Sequence, residues 1–191
     1  MKKVFNTTGI CIAEKHYMVD TTDKINSIVT DLIAAGKYFT MNRARQYGKT
    51  TTLFLLEKKL QENYLVVSIS FEAADDLFVS HGRFVKGFVM KLERELKRTG
   101  INTEILSAWC KPVNEEMPFE DLSNRITDLC QTVDKKMVLM IDEVDKSSDN
   151  QIFLSFLSLL RDKYLDMQKG KDISFYSVIL AGVSRIMQKK R

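Results

Sequence analysis

A doubly wound, mostly parallel α/β domain is the fold that this sequence predicts, and three observations predict it. A short β-leaning run, Lys37–Met41, leads through a turn into Gly48-Lys49-Thr50 and an apolar run at helical spacing, Thr51–Leu60. An unbroken apolar run, Met137–Ile141, ends in the adjacent acids Asp142 and Glu143, the pattern of a strand buried on both faces. Two more strand-like runs, Tyr64–Phe71 and Ser177–Gly182, alternate with long helical stretches, as parallel sheets require.

In chain order, residues 1–19 form an irregular entry ending at His16-Tyr17-Met18-Val19, with Val4–Ile12 as a candidate strand along the sheet edge. Asp20-Thr21-Thr22-Asp23 supplies helix N-caps, and Ile25, Ile28, Val29, Leu32 and Ile33 follow at helical spacing until Gly36 closes the helix. Tyr64–Phe71, dense in β-branched and aromatic residues, is the clearest β-segment, and a solvated acidic loop, Glu72–Asp76, follows it. Residues 77–133 read as helical pieces. Phe84, Phe88, Val89, Leu92 and Leu96 line one apolar face that stops near Thr99-Gly100. The opposite face carries six cations, but Glu93 and Glu95 interleave with them, so a nucleic-acid contact is the weaker reading. Pro112 and Pro118 bracket a loop before a helix over Phe119–Val133. Beyond the acids come a polar cap at Lys146–Asn150, an apolar helix from Ile152, a charged segment over Lys163–Lys171, and the last strand.

The chemistry sits at two of these junctions. A strand, a turn and Gly-Lys-Thr opening a helix form a phosphate-binding P-loop. Its amides face an anion, its lysine reaches the β and γ phosphates, and its hydroxyl holds Mg²⁺. The candidate binding residues are Arg43, Arg45, Gln46, Tyr47, Gly48, Lys49, Thr50 and Thr51, with Arg43 standing where the full signature has its first glycine. The second junction has the layout of a Walker B strand, with acids at the carboxyl end where open α/β sheets bind ligands. Asp142 then holds Mg²⁺ together with Thr50, and Glu143 polarises water, so Glu143 and Lys49 are the candidate catalytic residues. A surface turn and a solvated strand end are the bland alternatives. The joint presence of both motifs, in the right chain order, favours the nucleotide site. The entry segment reads either as a flank for the adenine or as an arm covering the sheet. Ser184, just past the last strand, is the only hydroxyl candidate for a γ-phosphate sensor.

Composition narrows the class. With 191 residues and 45% hydrophobic content the chain forms one sizeable core, and a formal net charge of +4 is too modest to imply nucleic acid. Cys11, Cys110 and Cys130 are widely spaced and read as reduced, packed thiols. No apolar run approaches the roughly 18 residues of a membrane span. A cytoplasmic protein without membrane contact is expected.

These residues also carry a family resemblance. The chain is similar to the amino-terminal ATPase domain of the bacterial and archaeal AAA-ATPase-like proteins, a STAND-related branch of the P-loop NTPases. The points of contact are Arg43, Arg45, Gly48, Lys49 and Thr50, the run Ser68–Glu72, the run Val138–Lys146, and Val178–Val183, which together reach over nearly the whole chain. Arginine stands at the Arg43 position in that family. The resemblance implies ATP binding and hydrolysis, with a lid and often a restriction-endonuclease-like domain after the core.

The expectation is a three-layer P-loop NTPase fold over residues 1–191, binding Mg²⁺ and ATP, without its last strand and lid. The strand order expected is Tyr64–Phe71, Met137–Ile141, Ser177–Gly182, Lys37–Met41. That order leaves Lys37–Met41 as an edge open to a protein partner or self-association. Nucleic acid would enter only through a further C-terminal domain. Two rival functions stay open: a nucleotide-loaded switch with little turnover, and a small-molecule kinase, which has no need of Glu143.

Overall fold

Four apolar runs pair side by side, all parallel: β1 (Tyr38–Asn42), β2 (Leu65–Ser70), β3 (Met137–Asp142) and β4 (Ser177–Gly182), in the order β1-β4-β3-β2. The computed structural model that shows this describes residues 2–6, 9–42, 47–101, 118–144 and 150–182. The order matches the sequence expectation, and β4 is inserted between the two strands that carry the motifs. Strand ends differ from those expected by a residue at most. Register aligns Asn42 with Gly182 and Ser70 with Asp142, so all four strands end together at one rim.

Parallel neighbours need crossovers, and the crossovers cover both faces. On one face lie α1 (Thr22–Ile28), extended by a π-helical turn at Val29–Ile33, and α2 (Lys49–Leu60). Their Ile33, Leu53, Leu56 and Leu60 pack on Val66, Val138, Met140 and Ile179. On the other face lie α3 (His81–Arg98), α4 (Phe119–Thr132) and α5 (Gln151–Gln168). Phe84, Phe88, Leu122, Ile126, Phe153 and Phe156 pack there on Val67, Ile69, Leu139 and Ile141. Alternate residues of β3 thus face opposite layers, which explains its unbroken apolar run. Gly36 closes the first helical segment at φ +64°, and its N–H donates to the Ile33 carbonyl at 2.9 Å.

Two expectations change. The described residues of Val4–Ile12 form no edge strand: Val4 pairs with His16 in an isolated bridge, and the Cys11 N–H donates to Thr51 Oγ1 at 3.1 Å. The segment turns back on itself because the His16 ring accepts the Ile12 N–H at 3.0 Å. The helix after the phosphate-loop turn starts at Lys49 with Gly48 as its cap, in line with Gly-Lys-Thr opening a helix. Finally, the apolar helix does not fade into a charged segment at Lys163. Helix α5 continues through it to Gln168, and Lys163 is 3% exposed.

Burial of an ammonium requires partners, and Lys163 has a full set. Its Nζ lies 2.7 Å from Asp172 Oδ2 and donates to Thr127 Oγ1 (2.7 Å), the Ser123 carbonyl (3.0 Å) and Ser123 Oγ (3.3 Å). One side chain thereby ties α5, α4 and the segment entering β4. Burial pushes the Asp172 carboxyl up, but hydrogen bonds from Lys163 and Thr127 and the lysine charge outweigh it, leaving the group below its ordinary value.

Lys163→Met should therefore cost about 3 kcal/mol in urea unfolding at neutral pH, near the low end for a broken buried pair because Asp172 keeps some solvent contact. Lys169→Met, which removes an exposed partner of Asp166, should cost under about 1 kcal/mol. Because the folded Asp172 carboxyl is depressed, its contribution is present above the ordinary value of 3.8 and is lost as pH falls through the lower folded value. The gap between wild type and Lys163→Met should narrow correspondingly in acid. Equal stabilities of the two at neutral pH would refute the pin.

Candidate functional site

All four strands end at the same rim, and the motif residues sit there. The backbone of Gly48 is left-handed, at φ +73°, where it caps α2. A Cβ at this glycine would meet nothing within 4 Å, so the conformation selects glycine, not a lack of space. The first bond of the helical ladder runs from the Thr52 N–H to the Gly48 carbonyl at 2.8 Å, reinforced by the Thr52 hydroxyl at 2.9 Å. The amides of Lys49, Thr50 and Thr51 lie ahead of that ladder, at the positive end of the helix dipole. A glycine-capped helix start of this kind suits an anion.

Opposite it stand the two acids at the end of β3. Lys49 Nζ lies 2.9 Å from Asp142 Oδ1 and 2.7 Å from Glu143 Oε1, with the lysine side chain only 10% exposed. Burial pulls the lysine pKa down, but hydrogen bonds and charge from Glu143 and Asp142 more than reverse this and raise it. Lys49 is therefore a firm cation at neutral pH.

Glu143 is itself unusual. Its φ is +60°, one of two positive values among the described non-glycine residues, the other being Ala73 at +49°. Left-handed backbone costs a residue with a Cβ about 1–2 kcal/mol, so surrounding contacts must enforce it. The peptide leading into Glu143 is held at both ends. Its carbonyl, from Asp142, accepts the Phe71 N–H at 3.1 Å, and its N–H donates to Asp142 Oδ1 at 2.8 Å.

Of the residues singled out from sequence, Lys49, Asp142 and Glu143 thus converge at one point. Thr50 is exposed on the first turn of α2 beside them, and Tyr47 is 72% exposed at the loop's end. Thr51 is partly committed elsewhere, since its hydroxyl accepts the Cys11 N–H. This contact brings the entry segment against the phosphate-helix start, and no spacing signal in the sequence announces it. Arg43, Arg45, Gln46 and Ser184 lie outside the described residues, as do Cys110 and Asp145. The basic face of α3 is partly neutralised: Lys97 pairs with Glu93, and both Arg94 and Arg98 pair with Glu95. No helix among the described residues is long and apolar enough to cross a membrane.

Known proteins place the fold and the family. Among solved structures, the ORC2 protein of Aeropyrum pernix, determined as ADPNP–ADP complexes, superposes with a TM-score of 0.51 at 12% identity. The match covers 85% of this chain and 41% of that one, so the domain spans less than half of that protein's length. At that identity the likeness establishes the P-loop NTPase-like fold alone. Comparison with curated proteins yields no match. A family model described as an AAA-like domain matches residues 8–181, from the entry segment to the end of β4. The chain belongs to the AAA-like domain family.

Proposed function

We propose that this domain binds Mg²⁺–ATP at the rim where Lys49 meets Asp142 and Glu143, and hydrolyses it to drive a conformational switch. The observation that carries the reading is the meeting of one largely buried lysine, on the first turn of α2, with two acids at the end of β3. The donor set suits the ligand. A helix start with a lysine complements phosphate, while a carboxylate next to an exposed hydroxyl suits a cation that shares its coordination with phosphate oxygens.

In this reading Lys49 and the amides of Gly48–Thr51 hold the phosphates, with Arg43, Arg45, Gln46 and Tyr47 shaping the loop around them. Thr50 and Asp142 place the metal, whose charge would offset that developing on the phosphate oxygens. Glu143 orients the attacking water and accepts its proton, and Ser184 is the candidate sensor beyond β4. The entry segment, fastened to Thr51 through Cys11, is positioned to flank the base.

One feature favours a second reading, the nucleotide-loaded switch. Glu143 is bonded to Lys49, so the residue assigned to water is neutralised by the one assigned to phosphate. Phosphate competes for Lys49 and releases Glu143. Turnover then depends on how fully the nucleotide wins that competition.

Lys49→Ala should abolish most ATP affinity by isothermal titration, because a charge-assisted contact vanishes from a site that concentrates negative charge. Near wild-type affinity in that variant would remove the phosphate assignment. Glu143→Gln should retain or modestly tighten ATP binding, since a competitor for Lys49 is weakened, while turnover drops roughly 10²-fold. If wild-type protein binds ATP but shows no phosphate release, the switch reading replaces the hydrolase.

A further inference from the structure

The strained backbone at Glu143 needs an anchor beyond its own strand, and the contacts lead to Asn150. Phe71, whose N–H holds the Asp142 carbonyl, packs its ring edge-on against Phe78 (centroids 5.5 Å apart) and Phe153 (6.1 Å). Phe78 belongs to a 3₁₀ turn, Asp75–Val79, that lies against α3 through Leu77; a Cβ on Gly87 would come within 2.0 Å of Leu77 Cδ2. Asn150 closes the ring. Its Oδ1 accepts the Ile152 N–H at 2.8 Å, capping α5, while its Nδ2 donates to the Phe78 carbonyl at 3.2 Å. One side chain thus joins the start of α5 to the turn after β2, and the three phenylalanines are clamped between them. Val144, 2% exposed, is part of the same cluster, next to Glu143 in sequence.

We infer that Asn150 is a positioning residue for Glu143: by fixing Phe78 against Phe71 it holds the Phe71 amide on the Asp142 carbonyl, and so holds the left-handed turn that aims the Glu143 carboxylate. The role of Glu143 in water activation rests on the function proposed above. The mechanical link from Asn150 to the Asp142–Glu143 peptide does not. Asparagine suits the position because capping needs an acceptor and the Phe78 carbonyl needs a donor, and a primary amide supplies both. Aspartate or serine keeps the cap but loses the bridge to Phe78.

The test uses Asn150→Asp and Asn150→Ser in the full chain, with two readouts. Hydrogen exchange of the wild type and both variants, without nucleotide, follows peptides covering 71–79, 141–144 and 151–160. The bridge-less variants should exchange at least about tenfold faster in the first two peptides, with the third unchanged because the cap survives. Steady-state turnover should show kcat lower by about 10- to 100-fold with ATP affinity by titration within twofold of wild type, as expected when a reacting group is misplaced by around an ångström. Wild-type exchange in 141–144 for both variants overturns the inference, as does a kcat loss matched by equal loosening of 151–160. If wild-type protein does not turn over ATP, the hydrolase reading falls while accelerated exchange at 141–144 still establishes the link.

Discussion

The bridge from Lys49 to Asp142 and Glu143 is the contact on which the geometry of the site depends. It joins the helix after β1 to the end of β3, and β4 lies between them. Strands in a sheet sit about 4.8 Å apart, so the bridge spans roughly two strand spacings. The intervening strand, β4, carries two small residues, Ala181 and Gly182, level with the end of β1. Insertion of β4 between the two motif strands thus sets the spacing of the site.

Such a site needs a firm base, and the two faces of the sheet differ in how they supply it. The α1/α2 face is aliphatic, whereas the α3/α4/α5 face is built around a phenylalanine cluster with ring centroids mostly 5–6 Å apart. Aromatic pairs at these separations contribute about 0.5–1.5 kcal/mol each beyond area burial and restrict sliding. The cluster reaches the rim through Phe71 and Phe78, directly beneath the acids. A left-handed turn at Glu143 can persist there because rigid neighbours, not the local chain, define the peptide plane. The opposite end of the same layer is fixed differently, by Lys163 and Asp172. Near that pair, burial pushes the Cys130 thiol up to about 12, so it is a packed group without thiolate character at neutral pH.

Electrostatics divides the surface in a way that charge counting misses. The cations of α3 look like a phosphate-binding face in sequence, yet Glu93 and Glu95 sit one helical turn from Lys97 and Arg98 and pair with them. Helix geometry converts an apparent basic stripe into a set of local pairs. Lys49 shows the reverse. A single lysine, unremarkable in composition, becomes a largely desolvated cation held between two acids.

Much was legible from sequence because it depends on near neighbours. The apolar runs of β3 and β4, the helical spacing of Phe84, Phe88 and Leu92, and Gly48-Lys49-Thr50 at a strand-to-helix junction are all local patterns. The physics they encode, pleat alternation, helical periodicity and the left-handed freedom of glycine, acts over a few residues. The strand order, by contrast, came from the resemblance to P-loop ATPases rather than from any local pattern. What the sequence left open depends on partners far apart in the chain. Lys163 reads as a surface charge until Asp172, Thr127 and Ser123 close around it. The Thr51 hydroxyl has no partner in the sequence pattern until Cys11, 40 residues away, donates to it. The positive φ of Glu143 and its dependence on Phe71 have no local signature at all. Burial and long-range hydrogen bonding are properties of the folded packing, so sequence alone named the motif residues, and tertiary structure decided how they are held.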